Sequence, residues 1–212
     1  MYPNWRQSFN YYPRSGSSGG FESILRMGSG GDQESMGDRN PLVGFSAGSN
    51  NLEIHTGLND EISHTFSDSN GLALNEFSNI AIQQMEDADT GNYIYSIFVN
   101  DQEVYQTTNS NPMSYQDMSV TAGDQYFQGA DGIISDFSMQ TFAPGSLCAT
   151  MSCSIHASCQ EVTDEILGSS AMCICLPGFS GKNLISAVNQ ECMGDEYFLR
   201  GEVSKSCSTQ IF

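Results

Sequence analysis

FSNIAIQQMEDADTGNYIYSIFVNDQEVYQT, residues 77–107, decides the fold class. Apolar Ile80 and Ile82 run into polar Gln83 and Gln84, and Glu86-Asp87-Ala88-Asp89-Thr90-Gly91-Asn92 then breaks the pattern with turn formers. Residues 93–99 return as a second apolar run, and Asn100-Asp101 separates it from Glu103-Val104-Tyr105. A polar dipeptide between two alternating runs is a hairpin signal, weaker than Asn-Gly because Asp tolerates positive φ less well than Gly. The stretch predicts a three-stranded antiparallel meander.

Outward from it, short β-prone runs punctuated by Gly, Asn, Asp and Ser fall at residues 5–9, 21–27, 43–47, 52–56, 62–66, 118–121 and 133–140. No apolar stripe of period 3.6 reaches helical length. The expected class is mainly β, and the regular strand spacing predicts a two-sheet sandwich.

The 212 residues carry 25 Asp and Glu against 7 Lys and Arg, a formal charge of −18. Nucleic acid and anionic membranes both demand a basic surface, so both are excluded as partners. Between Arg39 and Lys182 there are 17 carboxylates and no Lys or Arg, which leaves trypsin no cleavage site in that stretch. Thirty Ser and ten Thr make the surface polar instead. All seven Cys fall at 148–207, the distribution of a disulfide-stapled module joined to a self-sufficient domain. The expected division is a β domain at 1–143, a disulfide-rich module at 144–192 and a tail at 193–212. The cysteines place the protein outside the cell. No signal-peptide h-region stands at residues 1–10, so the chain reads as a mature form or a fragment, and no apolar run approaches the length of a membrane span. No Asn-x-Ser/Thr sequon occurs, which leaves the hydroxyls as the sites for any glycan of a glycoprotein.

Residues 3–141 resemble the concanavalin-A-like, laminin-G-like jelly-roll module of large extracellular proteins. The resemblance rests on Trp5-Arg6-Gln7-Ser8-Phe9, on residues 23–27 leading to Gly30-Gly31-Asp32 and Gly37-Asp38-Arg39-Asn40-Pro41, and on Glu76-Phe77-Ser78-Asn79-Ile80. It continues through residues 97–105 to Val120-Thr121-Ala122-Gly123-Asp124-Gln125-Tyr126-Phe127, with Phe77 and Tyr126 standing where the family often has Trp. It implies an antiparallel jelly-roll sandwich. Some relatives carry a farnesoic acid O-methyltransferase-like label, but this chain has no glycine-rich strand-to-helix loop for a methyl-donor nucleotide, and that activity is not expected.

Cys148, Cys153, Cys159, Cys173, Cys175 and Cys192, with Cys175-Leu176-Pro177-Gly178-Phe179-Ser180-Gly181, are similar to an EGF-like domain. That resemblance implies disulfides Cys148–Cys159, Cys153–Cys173 and Cys175–Cys192. The last loop is longer than usual, and no acidic run precedes Cys148 of the kind that marks the calcium-binding variant. Cys207 is then the odd thiol, free or bonded to another chain or to missing sequence. A Cys192–Cys207 pair that leaves Cys175 free is the alternative.

Catalysis is not expected. The densest acidic group, Glu86-Asp87-Ala88-Asp89, reads as a solvated turn rather than a pair of glycosidase carboxylates, and His55, His64 and His156 show neither metal-ligand spacing nor a nucleophile triad. No cofactor is required, with calcium as the one candidate: Asp32, Glu34 and Asp38 form the best acidic cluster, although Asp38 can equally pair with Arg39 or cap its Gly-rich turn. For sugar contact, Tyr11-Tyr12, Tyr105 and Tyr126-Phe127 offer aromatic faces. Tyr126 and Phe127, with Asp124, are preferred because Gly123-Asp124 and Gly129-Ala130-Asp131-Gly132 bracket them as a loop.

The functional expectation is a non-catalytic extracellular structural or adhesion protein, a self-associating subunit of a filament or matrix. Its partners would be copies of itself or other extracellular proteins, with residues 5–12 or 201–212 adding as a strand to a neighbour. The alternative is a lectin-like module that binds glycans, with or without calcium.

Overall fold

The computed structural model describes residues 1, 3–87, 89–142, 148, 157–164, 168–175, 179–180 and 193–194. The chain divides into two compact units, Met1–Thr141 and Phe142–Phe212. Among the described residues there is no α-helix, and none long and apolar enough to cross a membrane.

Eleven strands build the first unit: β1 (Asn4–Pro13), β2 (Glu22–Gly28), β3 (Leu42–Phe45), β4 (Leu52–Leu58), β5 (Glu61–Ser67), β6 (Ser78–Glu86), β7 (Tyr93–Val99), β8 (Gln102–Asn109), β9 (Ser119–Ala122), β10 (Gln128–Gly129) and β11 (Gly132–Phe142). One sheet has the order β11-β1-β6-β7-β8; the other runs β10-β2-β3-β4-β5, with β9 also paired to β2. The result is a mainly antiparallel two-sheet sandwich of jelly-roll type.

The expected meander is β6-β7-β8. Ile80 pairs with Val99 and Ile82 with Ile97, and Val99 pairs with Gln102 around the two-residue loop. Asn100 and Asp101 both have positive φ, 51° and 63°, as a primed turn requires. The same dipeptide at Asn59-Asp60, with φ of 52° and 65°, closes β4 onto β5.

Alternation fills the core. Trp5, Phe9 and Tyr11 of β1 and Ile80 and Ile82 of β6 meet Ile24, Val43, Phe45, Leu52 and Ile54 from the facing sheet, all buried. Tyr11 packs edge-on against Phe45 at 5.9 Å, and Trp5 against Tyr95 at 6.3 Å. The Tyr95 hydroxyl shares a 2.8 Å hydrogen bond with Thr56, and burial pushes its pKa up.

One expectation changes. Residues 5–12 are no spare strand for a neighbouring copy, because β1 lies inside its own sheet with β11 on one side and β6 on the other. Strand β10, two residues long and parallel to β2, lies where no strand is expected, because it has no alternating run to announce it.

In the second unit, β12 (Ala157–Asp164) and β13 (Gly168–Cys175) form an antiparallel hairpin in which Cys159 lies opposite Cys173. A second short pair joins β14 (Phe179–Ser180) to β15 (Met193–Gly194). A disulfide links Cys148 to Cys159, the first of the pairs that the EGF-like resemblance implies. Closing a loop of this size contributes on the order of 2–4 kcal/mol. Cys153, Cys192, Cys207, His156 and the segment 201–212 lie outside the described residues.

Candidate functional site

Two loops meet on the outer face of the six-stranded sheet: residues 29–41, between β2 and β3, and residues 123–127, between β9 and β10. Backbone bonds from Ser29 N to Gly37 O and from Asn40 N to Met27 O fold the first back on itself. Its closure is tight, since a Cβ on Gly28 would collide with the Asp38 carbonyl. Within it the Asp38 carboxylate accepts Ser29 Oγ (2.8 Å), Ser35 Oγ (3.0 Å) and the backbone N–H groups of Glu34 and Ser35 (both 2.8 Å). Burial alone would push the Asp38 carboxyl up. The hydrogen bonds from Ser29, Ser35 and Glu34 outweigh it and hold the pKa down at about 2.

Arg26, 5% exposed on β2, ties the loops together. Its Nε and Nη2 donate to the Asp38 carbonyl at 3.1 and 2.8 Å, Nη2 also donates to Gly31 O, and Nη1 reaches Asp124 Oδ1 at 3.0 Å. The guanidinium lies 5.1 Å from the Tyr126 ring centre. Arg39 repeats the arrangement, with Nη2 at 2.6 Å from Asp32 Oδ1 and its guanidinium 5.3 Å from the Phe127 ring. Two arginines thus each hold one carboxylate and one aromatic ring, which joins loop to loop by charge and by cation–π attraction.

Beyond Phe127 the same face carries Phe21, 5.0 Å from Phe127 and 5.3 Å from His55. The Phe21 ring lies where a Cβ on Gly44 would be, so only glycine leaves it room. His55 is held on both ring nitrogens, by Glu53 at 2.8 Å and by Ser63 and Thr65 at 3.2 and 3.1 Å. Burial pushes its pKa down against the opposing pull of Glu53.

Beside Tyr126 opens a cleft of about 280 Å³ lined by Arg26, Gly30, Ser119, Thr121, Asp124 and Gln125, among others. Tyr126 is 46% exposed, and its hydroxyl donates to Gly30 O at 3.2 Å. Asp124 has no exposed side-chain surface. Its Oδ1 accepts from Arg26 and from the Tyr126 N–H, while its Oδ2 has no partner.

The structure therefore brings Asp124, Tyr126 and Phe127 together, though Phe127 packs among Phe21 and Arg39 rather than facing outward with Tyr126. It does not gather Asp32, Glu34 and Asp38 around a cation. Asp32 is committed to Arg39, Asp38 spends its lone pairs on the turn, and Glu34 contributes its backbone N–H to that turn. Among the described residues no group of three or more His, Cys, Asp or Glu is placed to hold a metal. The other aromatics serve packing: Tyr11 is in the core, its pKa pushed up to about 12 by burial and then by Asp131 and Glu22, Tyr12 meets Phe77 at 5.1 Å, and Tyr105 packs on Phe66 and His64. Asp87 caps its own turn, accepting Thr90 N at 2.8 Å and Asp89 N at 3.1 Å.

Arg26, Ser119, Thr121 and Gln125 are the residues that sequence reasoning missed as site components. The signal available for Arg26 is an arginine inside an otherwise apolar strand, Ser23-Ile24-Leu25-Arg26-Met27, which requires a buried partner.

No protein family's sequence profile matches the chain, and no curated protein does. Its structure is similar to sheep galectin-11 in complex with glycerol, at 10% identity over 66% of this chain and 92% of that one, with a TM-score of 0.40. It is also similar to the native heptameric SAP-like pentraxin from Limulus polyphemus (7% identity, 67% and 66% covered, TM-score 0.41). A third similar structure is the botulinum neurotoxin serotype C1 binding domain (11% identity, 67% and 34% covered, TM-score 0.43).

Proposed function

We propose that this chain is a non-catalytic, secreted binding protein whose β-sandwich takes a saccharide in the cleft beside Tyr126, followed by an EGF-like spacer. One observation carries the reading: a polar cleft whose lining residues Gly30 and Arg26 also hold the exposed Tyr126, in loops already fixed by Arg26 and Arg39. A sugar offers an apolar ring face for stacking and hydroxyls for polar contacts, which the Tyr126 ring and the hydroxyls of Ser119 and Thr121 would meet. Because the loops are tied before the ligand arrives, little ordering entropy is lost on binding.

The test is saccharide binding by the whole chain and by Tyr126→Ala, with circular dichroism as the fold control. Truncating a central aromatic should weaken binding by about tenfold or more. Failure of the unaltered chain to bind any saccharide, or unchanged affinity in the variant, overturns the reading.

A further inference from the structure

We infer that the cleft selects uncharged or amine-bearing saccharides and rejects those carrying carboxylate or sulfate groups. This rests on the saccharide reading above and goes further by naming the ligand's charge class.

Anionic sugars are held by free N–H donors, above all the paired donors of an arginine. Arg26, the cation lining this cleft, has four of its five N–H groups engaged: one on Asp124, one on Gly31 and two on the Asp38 carbonyl. One N–H on Nη1 is left, so the guanidinium has no pair of donors to offer a carboxylate.

The polar side chains at the rim are committed in the same direction. Ser119 Oγ donates to Gly28 O at 3.2 Å, Thr121 Oγ1 to Gly123 O at 3.0 Å, and Gln125 Nε2 to Gly30 O at 3.3 Å. A hydroxyl has one proton to give, so in these bonds Ser119 and Thr121 offer the cleft oxygen lone pairs, while Gln125 offers its Oε1 and the second N–H of its Nε2. Asp124 Oδ2, buried and without a partner, adds negative charge that Arg26 compensates from one side only. The side chains lining the cleft therefore present more acceptors than donors, with single N–H groups of Arg26 and Gln125 left over. Sugar O–H and N–H groups can satisfy the acceptors, whereas a carboxylate or sulfate brings further acceptors and a like charge into a partly desolvated site.

Calorimetry with the full 212-residue chain tests this with matched probes: a neutral hexose oligomer, the hexuronate oligomer of the same linkage, and an amino-sugar oligomer. The expected result is binding of the neutral and amino-sugar probes, with the hexuronate at least about tenfold weaker at low salt and the gap narrowing as salt rises. Thr121→Val, at an exposed position and with circular dichroism as the fold control, should weaken the neutral probe about fivefold through loss of one acceptor. Hexuronate binding as tight as the neutral probe, or an unaffected Thr121→Val, overturns the selectivity. If the hexuronate then depends on Tyr126, the saccharide site itself stands. No binding by any probe overturns both.

Discussion

The loop at 29–40 and the turn at 86–92 are both short, rich in Gly and acidic residues, and both are organised by one aspartate that accepts several hydrogen bonds. They end in opposite situations. Asp38 is 3% exposed under a loop locked by two arginines, whereas the Asp87 turn stands in solvent with only its own Thr90 and Asp89 as donors. An acidic turn is thus drawn into structure by a nearby guanidinium, and without one it closes on itself and stays outside. In a chain with 7 cationic residues against 25 acidic ones, the few arginines decide which loops become fixed.

The largest effect should come from Arg26→Met, which leaves Asp124 as a buried charge without its partner and releases the Asp38 and Gly31 carbonyls. The expected loss is about 3–5 kcal/mol in denaturant unfolding, with saccharide binding lost as well. A loss below about 1 kcal/mol would mean that the loops do not need the guanidinium.

Next in size is Asp38→Ala, which strands the backbone N–H groups of Glu34 and Ser35 and should cost about 1–3 kcal/mol by the same measurement. An acid titration sharpens the point. The Asp38 pKa is depressed in the folded state, so its stabilisation is complete above about pH 4 and is lost as pH falls toward 2. Tyr126 fluorescence or loop proton signals should therefore hold at pH 4 and change only below about pH 3. A change centred above pH 5 would contradict the hydrogen-bonded carboxylate.

Asp32→Asn follows, with a loss of under about 1 kcal/mol, since the Asp32 side chain is 44% exposed and its attraction to Arg39 is screened. Raising the salt concentration should shrink this difference further. The smallest effect belongs to Asp87→Ala, which removes a solvent-facing cap. Its melting temperature should fall least of the four variants, and a fall matching that of Asp38→Ala would erase the distinction between the two regions.

Much of the sandwich is legible in local sequence because strand alternation and turn chemistry act within a few residues. Ile80, Ile82 and Ile97 declare an inward face, and Asn100-Asp101 declares the turn between β7 and β8. The identical signal at Asn59-Asp60 was equally available. Polar residues on inward positions are less readable: Gln7 is fully buried, between Trp5 and Phe9 along β1. The site is least readable of all. Arg26 and Asp124 are 98 residues apart in sequence, and no periodicity of either segment reports that they meet. Tyr126 was singled out by the glycines around it, while the acceptor character of its cleft depends on where Ser119, Thr121 and Gln125 send their protons, which only the folded backbone determines.

The adjacency of β1 and β11 has a mechanical consequence. These are the opening and closing strands of the sandwich, and the bonds from Arg14 N to Asp131 O and from Asn10 to Asp136 set them antiparallel, so the unit's entry and exit lie at the same end of one strand pair. Tension between entry and exit would pull across that pair and open its hydrogen bonds one after another, like a zipper, instead of loading them all at once in shear. Under load the sandwich should yield at modest force from that end inward, and β6 to β8 would be the last of their sheet to feel it.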